Sequence, residues 1–314
     1  MRLFGPLLAV FTLVLGGCLG AVDFASNVHD LRILAISAEP PEVVVPFDPR
    51  TGTIDPFLAA TLLPKSVKLK ALVVDPSAAG RTIHYEFFIC PWASGLDCTE
   101  SDAKVLLGEG DLKGDTAETE IPLLLNGAPN QPMIDLITEA QKRDPLKGFG
   151  GIPVPVTLRV TEGNLVLLGG KRLVVSFPQV AGQKANVNPP PPPVLLDGLL
   201  LLEGDSPGVK QSPAPRVDVF PLRDQVEEYV VPTFQGEPRT LTESWRFSWF
   251  STKGRFSPER TGGAEQLRQE QVPTDTRLVF AADEAPGDFT FYVVERDGRG
   301  GEVWVKRTAT YLGK

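Results

Sequence analysis

Short runs of alternating apolar and polar residues predict that most of this chain forms β-strands. Between residues 83 and 89, every second residue is apolar, which places these side chains on one face of a strand. Comparable runs predict strands at 31–36, 43–45, 67–74, 104–107, 119–125, 154–160, 165–168, 173–177, 194–202, 216–220, 244–251, 276–281, 289–295 and 302–312. Short strands separated by turns rich in proline and glycine are typical of β-sandwiches, so the predicted fold is mainly β.

One segment, near 132–143, has the periodicity of a helix instead. Its apolar residues share a single helical stripe, which comprises Met133, Ile134, Leu136, Ile137 and Ala140. Pro132 suits the first position of a helix, and Asp144 precedes a proline that ends it. A short helix inserted between the strands of the first half is therefore expected.

The N-terminal segment predicts export from the cytoplasm. One cation, Arg2, precedes an apolar run from Leu3 to Leu15, and two glycines then lead to Cys18. The run is too short for a transmembrane helix, which needs about 20 residues. An ordinary signal peptide would instead require an A-x-A-like cleavage site, for which the candidates are poor. Residues 15–18, Leu-Gly-Gly-Cys, resemble the lipobox of bacterial lipoproteins.

The lipobox resemblance implies that residues 1–17 are a signal peptide and that Cys18 is acylated. The lipid bilayer is then the partner of Cys18, and residues 18–30 form a lipidated tether that lets the first domain stand off the membrane. In well-studied Gram-negative lipoproteins, an aspartate after the cysteine signals retention in the inner membrane. Leu19 occupies that position here. This favours the outer membrane within the cell envelope of a Gram-negative-type bacterium.

The two other cysteines, Cys90 and Cys98, form an even pair once Cys18 is assigned to lipid. An even pair in an exported chain predicts a disulfide, because the compartment is oxidising. Two free thiols are the alternative. A disulfide here would close a short loop that contains Trp92, and an ordered aromatic tip makes good contacts with a partner. We therefore single out Trp92 as a possible partner contact; the alternative is that Trp92 packs back on the sandwich.

Five consecutive prolines, Pro189–Pro193, mark the boundary between two halves of the chain. Such a tract adopts polyproline II and acts as a semi-rigid spacer. The sequence therefore predicts a first domain at 31–181, a proline-rich linker at 182–193 and a second domain at 194–314. A ligand for a proline-recognition domain is the alternative function of the tract, but an envelope lipoprotein would rarely meet such a domain.

Charge and composition exclude some classes of partner. The chain has 31 basic and 39 acidic residues, a net charge of −8, and no basic run. Nucleic acid is therefore not an expected partner. With 42% hydrophobic residues, the chain can build cores of ordinary globular size.

Few residues point to catalysis or metal binding. The only histidines are His29, in the predicted tether, and His84, on the polar side of a strand. No G-x-S-x-G elbow, phosphate loop or dinucleotide motif occurs, so no catalytic residue, cofactor or metal site is predicted. Two acidic turns, 109–115 and 283–288, are candidate weak calcium sites, with solvated turns as the alternative. A chain this rich in acidic residues contains pairs of carboxylates by chance, so such pairs alone are no evidence for glycan hydrolysis.

Several segments resemble PKD and bacterial Ig-like modules. Phe289–Trp304 with its glycine-rich turn resembles their last two strands, 248–250 and 254–257 resemble a middle strand and turn, and Leu31–Val45 resembles a first strand. The resemblance implies two Ig-like β-sandwich domains, the first carrying the inserted helix. The resemblance indicates the fold but gives almost no information about function. The chain as a whole resembles uncharacterised envelope lipoproteins that carry such modules.

These observations favour a non-enzymatic, membrane-anchored envelope lipoprotein. Such a protein would bind an envelope protein or a glycan, or act as a structural spacer, because modules of this kind present loops rather than catalytic sites. A carboxylate-based glycan hydrolase of the envelope is the alternative, and a cluster of acids in a deep cleft would support it.

Overall fold

The computed structural model describes residues 25–45, 47–48, 53–54, 61–93, 96–177, 179–220, 223–263 and 274–314. Strands make up 48% of the described residues and helices 8%. The prediction of a mainly β fold with sandwich domains and one short helix is confirmed. The predicted signal peptide and Cys18, the predicted lipidation site, lie outside the described residues.

The first half of the chain forms a β-sandwich. Its strands are β1 (Arg32–Glu39), β2 (Glu42–Val44), β3 (Phe47–Asp48), β4 (Thr53–Ile54), β5 (Ser66–Val74), β6 (His84–Ile89), β7 (Val105–Asp111), β8 (Thr116–Pro122), β9 (Leu124–Leu125), β10 (Ala128–Pro129), β11 (Ile152–Glu162) and β12 (Leu165–Ser176). One sheet has the order β1-β5-β8 and the other the order β2-β12-β11-β6-β7, while β3 with β4 and β9 with β10 form small pairs.

Apolar residues that alternate along these strands fill the space between the two sheets. In β6, Phe87 and Ile89 point into this core, as the alternation predicts, and Tyr85 packs at its margin. In β11, the core residues Val154, Val156 and Leu158 have no exposed surface. Burying a side chain of this size contributes about 1.5–3 kcal/mol relative to exposure, so the alternation largely explains why the sheets associate.

The helix predicted near 132–143 is α1, Gln131–Arg143, and it closes one end of the first sandwich. Met133, Leu136 and Ile137 are buried against the same core. Pro132 lies in the first turn, where its missing N–H costs no hydrogen bond. The helix ends at Arg143, because Pro145 disfavours helical geometry in Asp144, the residue before it.

The second half forms another sandwich. Its strands are β13 (Val194–Leu196), β14 (Leu199–Leu200), β15 (Gly208–Val209), β16 (Arg216–Val219), β17 (Glu228–Val231), β18 (Arg239–Thr242), β19 (Arg246–Ser251), β20 (Arg255–Ser257), β21 (Arg260–Gly262), β22 (Thr276–Val279), β23 (Gly287–Arg296) and β24 (Glu302–Tyr311). The sheets have the orders β14-β13-β16-β22-β20 and β15-β24-β23-β19-β21, and β17 pairs with β18 alone.

Aromatic residues dominate the core of the second sandwich. Trp245, Phe247 and Trp249 alternate into it and are at most 1% exposed. The predicted hairpin is β23 and β24, which pair from Gly287 with Tyr311 to Arg296 with Glu302. This pairing is antiparallel, and its turn contains the predicted glycines.

The two sandwiches pack directly against each other. A third apolar cluster lies between them and comprises Val28, Leu34, Ala35, Leu72, Val74, Tyr292 and Val294, with Phe250 and Trp304 at its margin. Beside it, the Lys171 ammonium lies 3.3 Å from the Glu302 carboxylate, and both side chains are 8% exposed. The contacts between their surfaces therefore determine how the two sandwiches are placed relative to each other.

The residues predicted as a linker contact both sandwiches. Asn188 Nδ2 donates a hydrogen bond of 2.8 Å to the Ala38 carbonyl, and its Oδ1 accepts one of 2.9 Å from Glu302 N–H. Asn186 is buried and donates to the Asp297 carboxylate at 2.7 Å. The polar residues before the proline tract therefore join the two sandwiches.

The last residues of the predicted tether, 25–30, pack against the second sandwich. Ser26 and Val28 have no exposed surface. Asn27 forms a parallel bridge with Ser251, at the open edge of β19. The segment 25–30, which we call the strap, therefore adds to the second sandwich before the chain enters β1 of the first. Free backbone groups at a sheet edge explain the docking, because they require hydrogen-bond partners.

Among the residues that the structure describes, no helix combines the length and the apolar character that a membrane crossing requires.

Candidate binding site

A disulfide staples the loop that follows β6. Cys90 and Cys98 are bonded, with their Cα atoms 5.7 Å apart, and both are buried. The disulfide predicted from the even pair of cysteines is confirmed. Cys98 begins a single turn of 3-10 helix that ends at Glu100.

Hydrogen bonds fix this loop to the outer face of the five-stranded sheet. The Thr157 hydroxyl accepts a hydrogen bond of 2.7 Å from Cys98 N–H and donates one of 2.6 Å to the Leu96 carbonyl. Leu96 lies over Gly170, where a Cβ atom would come within 2.6 Å of the Leu96 side chain. The glycine in β12 therefore leaves the room that the loop occupies.

A surface cleft of about 420 Å³ lies beside the stapled loop. It is lined by Pro91, Trp92, Ala93, Asp97, Glu100, Ser101, Asp102, Ala103 and Arg143. Trp92 is 55% exposed, although tryptophan is one of the most apolar side chains. Its role as a partner contact stays a prediction. The volume falls within the range of small-ligand sites, about 300–1,000 Å³.

The charged groups of the cleft differ in how far they are already paired. Asp97 Oδ1 accepts a hydrogen bond of 2.9 Å from Thr99 N–H, which caps the 3-10 turn. Arg143 donates a hydrogen bond of 2.9 Å to Glu139. The Glu100 and Asp102 carboxylates have no hydrogen-bond or ion-pair partner among the described residues, so they are available to a ligand.

Sequence reasoning identified Trp92 but missed the rest of the cleft. Arg143 ends α1, more than 40 residues further along the chain, and only the tertiary fold brings it to the stapled loop. Glu100 and Asp102 lie just beyond the second cysteine, in a short polar segment without periodicity. A carboxylate-rich stretch beside a predicted disulfide was the signal that could have pointed to them.

The first acidic turn considered for calcium has other partners. Asp111 lies 3.1 Å from His84 Nδ1, and Asp115 accepts hydrogen bonds from Lys306 at 2.7 Å and from the Tyr292 hydroxyl at 3.3 Å. Asp115 therefore helps join the two sandwiches. Burial and, to a smaller extent, the nearby carboxylate of Asp115 raise the pKa of Tyr292.

The second acidic turn is also occupied by protein groups. Glu284 lies 3.5 Å from the Lys253 ammonium, and Asp288 accepts a hydrogen bond of 2.6 Å from Thr310. Within the described part of the chain, no group of three or more His, Cys, Asp or Glu side chains is arranged to hold a metal ion. His29 is exposed in the strap.

A buried acidic group lies in the second sandwich near the junction, outside the cleft. Glu295 is fully buried, and neither of its carboxylate oxygens has a hydrogen-bond partner among the described residues. Burial, reinforced by the carboxylates of Asp297 and Glu243, raises the pKa of Glu295 to about 8. Burial also raises the pKa of Glu243. A substrate cannot reach Glu295 in this state, because its side chain has no exposed surface.

Comparisons with known proteins identify no family. No family model matches the sequence, and no curated protein matches it. A transglutaminase from red sea bream is similar over 92% of this chain and 32% of its own, with 9% identity and a TM-score of 0.25. Latent PorU from Porphyromonas gingivalis is similar over 91% of this chain and 24% of its own, with 11% identity and a TM-score of 0.23.

A bacterial ice-binding adhesin is similar over 92% of this chain and 66% of its own, with 8% identity and a TM-score of 0.21. The chain thus spans a third or less of the transglutaminase and of PorU, and just under two thirds of the adhesin. TM-scores this low carry no argument about function. The function of the cleft therefore has to be inferred from the chemistry of the residues that line it.

Proposed function

We propose that this protein is a lipid-anchored envelope protein, without enzymatic activity, that binds an envelope protein or a glycan at the cleft beside Trp92. The observation that carries the proposal is an indole that is 55% exposed at a cleft and held by a disulfide-stapled loop. Ordering an aromatic contact before binding lowers the entropy lost on association, which makes the loop suitable for recognition.

The composition of the cleft favours a neutral or positively charged surface on the partner. The indole face can stack on the apolar face of a sugar ring or hold a cation. The unpaired carboxylates of Glu100 and Asp102 can accept hydrogen bonds from hydroxyl or amino groups. A negatively charged partner would be repelled by these two carboxylates, since Arg143 is already paired with Glu139.

Substitution of Trp92 tests the proposal. In crosslinking on intact cells, Trp92→Ala should reduce capture of the partner about tenfold or more, because truncation of a central aromatic contact typically costs at least 2 kcal/mol. Trp92→Phe should retain part of the capture. Phe220→Ala is the matched control, since Phe220 is 64% exposed and does not line the cleft.

Other outcomes identify the alternative functions. If Trp92→Ala captures the partner as well as the native chain does, the cleft is not the binding site. If no substitution in the cleft changes any interaction of the protein, the function favoured is that of a structural spacer. Release of reducing ends from purified envelope glycans, lost in Glu100→Gln or Asp102→Asn, would instead support the hydrolase.

A further inference from the structure

The strap is held to the second sandwich by several hydrogen bonds. Two backbone hydrogen bonds join the strap to Ser251 of β19. Ser251 N–H donates to the Ser26 carbonyl at 2.7 Å, and Val28 N–H donates to the Ser251 carbonyl at 2.8 Å. The Ser26 hydroxyl also donates to Glu259 at 2.9 Å and accepts from Phe256 N–H at 3.1 Å. The strap is therefore a docked element of the fold.

The start of the strap is fixed as well. The Ala25 carbonyl accepts a hydrogen bond of 3.2 Å from the Arg32 guanidinium. Cys18 precedes Ala25 by seven residues in the sequence. A chain of seven residues spans at most about 25 Å, at roughly 3.3–3.6 Å per residue. A lipid on Cys18 thus holds Ala25 within about that distance of the bilayer.

The cleft lies at the opposite end of the first sandwich from the point where the strap enters. Arg32, at the start of β1, pairs with Val74, at the end of β5. The chain then turns into β6, which runs from His84 away from that end to Ile89 and the stapled loop. The eight residues of β1 alone extend about 25 Å, so a substantial distance separates the two ends.

We propose that the strap orients the molecule on the bilayer, with the Arg32 end of the first sandwich and the adjoining turn 281–285 of the second sandwich toward the lipid surface. The Trp92 cleft then projects away from the membrane. Turn 281–285 adjoins the strap through Lys253, which follows Ser251 closely and donates to the Ala285 carbonyl at 2.8 Å. Both sandwiches are thus held close to the bilayer. This inference rests on the proposed acylation of Cys18.

Energy transfer to labelled lipid measures this orientation. The full acylated chain is reconstituted on vesicles of phosphatidylethanolamine and phosphatidylglycerol that contain a rhodamine lipid. A donor dye is attached at Ala282→Cys, in the turn beside the strap, or at Ala103→Cys, in the cleft. Both alanines are exposed, so labelling should not disturb the core. Transfer from position 282 should exceed transfer from position 103 several-fold.

Two control variants separate the orientation from the anchor. A long Gly/Ser insertion between Leu19 and the strap leaves the described fold unchanged but removes the limit on reach, so the difference between the two positions should shrink. Cys18→Ala should abolish vesicle binding. Equal energy transfer from the two positions, or greater energy transfer from position 103, would contradict the proposed orientation but not the lipid anchor. Vesicle binding by Cys18→Ala overturns the anchor, and the orientation with it.

Discussion

Glu295 is the residue whose chemistry departs furthest from that of a free side chain. It occupies the core-facing row of β23, after Phe289, Phe291 and Val293, where an apolar residue would be expected. Because it is buried without a hydrogen-bond partner among the described residues, its charged form is disfavoured. The side chain is therefore mainly protonated at neutral pH, and its ionisation opposes folding.

Glu295→Gln should stabilise the protein above about pH 5. The unfolded chain ionises near the ordinary value of 4.5, whereas the folded chain keeps its proton until about pH 8. The unfolded state therefore binds fewer protons between these values, and the free energy of unfolding falls as pH rises through that window. The full gain above pH 8 is expected to be no more than about 5 kcal/mol, because one pKa unit corresponds to about 1.4 kcal/mol.

Urea denaturation at a series of pH values checks this prediction. The native chain and Glu295→Gln should be equally stable below pH 4 and should diverge steadily up to about pH 8. Glu109→Gln is the control, since Glu109 is exposed on β7. A constant difference between Glu295→Gln and the native chain at all pH values would contradict the proposed protonation.

At the scale of elements, the strap shows how a segment without strand periodicity becomes part of a sheet. Its residues 26–28 use the free edge of β19, which β21 covers only at Arg246, Phe247 and Ser248. The strap also places Val28 in the apolar cluster between the sandwiches. It thereby adds both hydrogen bonds and buried area at the point where the two sandwiches meet.

Val28→Ala should lower the free energy of unfolding by about 1.5–3 kcal/mol, because two methyl groups leave a closely packed site. Val28 has no exposed surface, whereas Val187 is 52% exposed. The same substitution at Val187 should therefore change stability by no more than about 0.5 kcal/mol. Equilibrium denaturation of both variants tests this difference, and equal effects would mean that the strap is not docked in solution.

At the scale of the whole molecule, the two sandwiches share an interface of mixed character. The apolar cluster is flanked on one side by Asp115 with Lys306 and on the other by Lys171 with Glu302. Phe149, after α1, stacks on Phe234 with ring centroids 4.5 Å apart, which extends the contact to the β17–β18 hairpin. Because separation would expose apolar surface and break ion pairs, the sandwiches should unfold together.

Calorimetry of Val294→Asp tests this coupling. The native chain should unfold in one transition, and the variant in two, because a carboxylate in the apolar cluster favours separation of the sandwiches. Val294 has no exposed surface, and Val166, which is 46% exposed, provides the matched control Val166→Asp. Two transitions in the native chain would show that the interface contributes little to stability.

The sequence by itself determined many of the local elements of this protein, although the β17–β18 hairpin was not predicted. Period-two alternation identified strands such as β6 and β23, and the single helical stripe identified α1 within one residue of its observed start. The even cysteine pair identified the disulfide. Each of these signals is local, because side-chain period, turn residues and loop closure act over a few neighbouring residues.

Only the tertiary structure decided which surfaces meet. The cleft combines a stapled loop with the end of a distant helix, the strap docks on a strand more than 200 residues away, and Asp115 joins the two sandwiches. Each contact requires both partners to be folded first, since its hydrogen bonds and apolar area exist only between formed sheets. A single sequence carries no periodic signal for such long-range pairs.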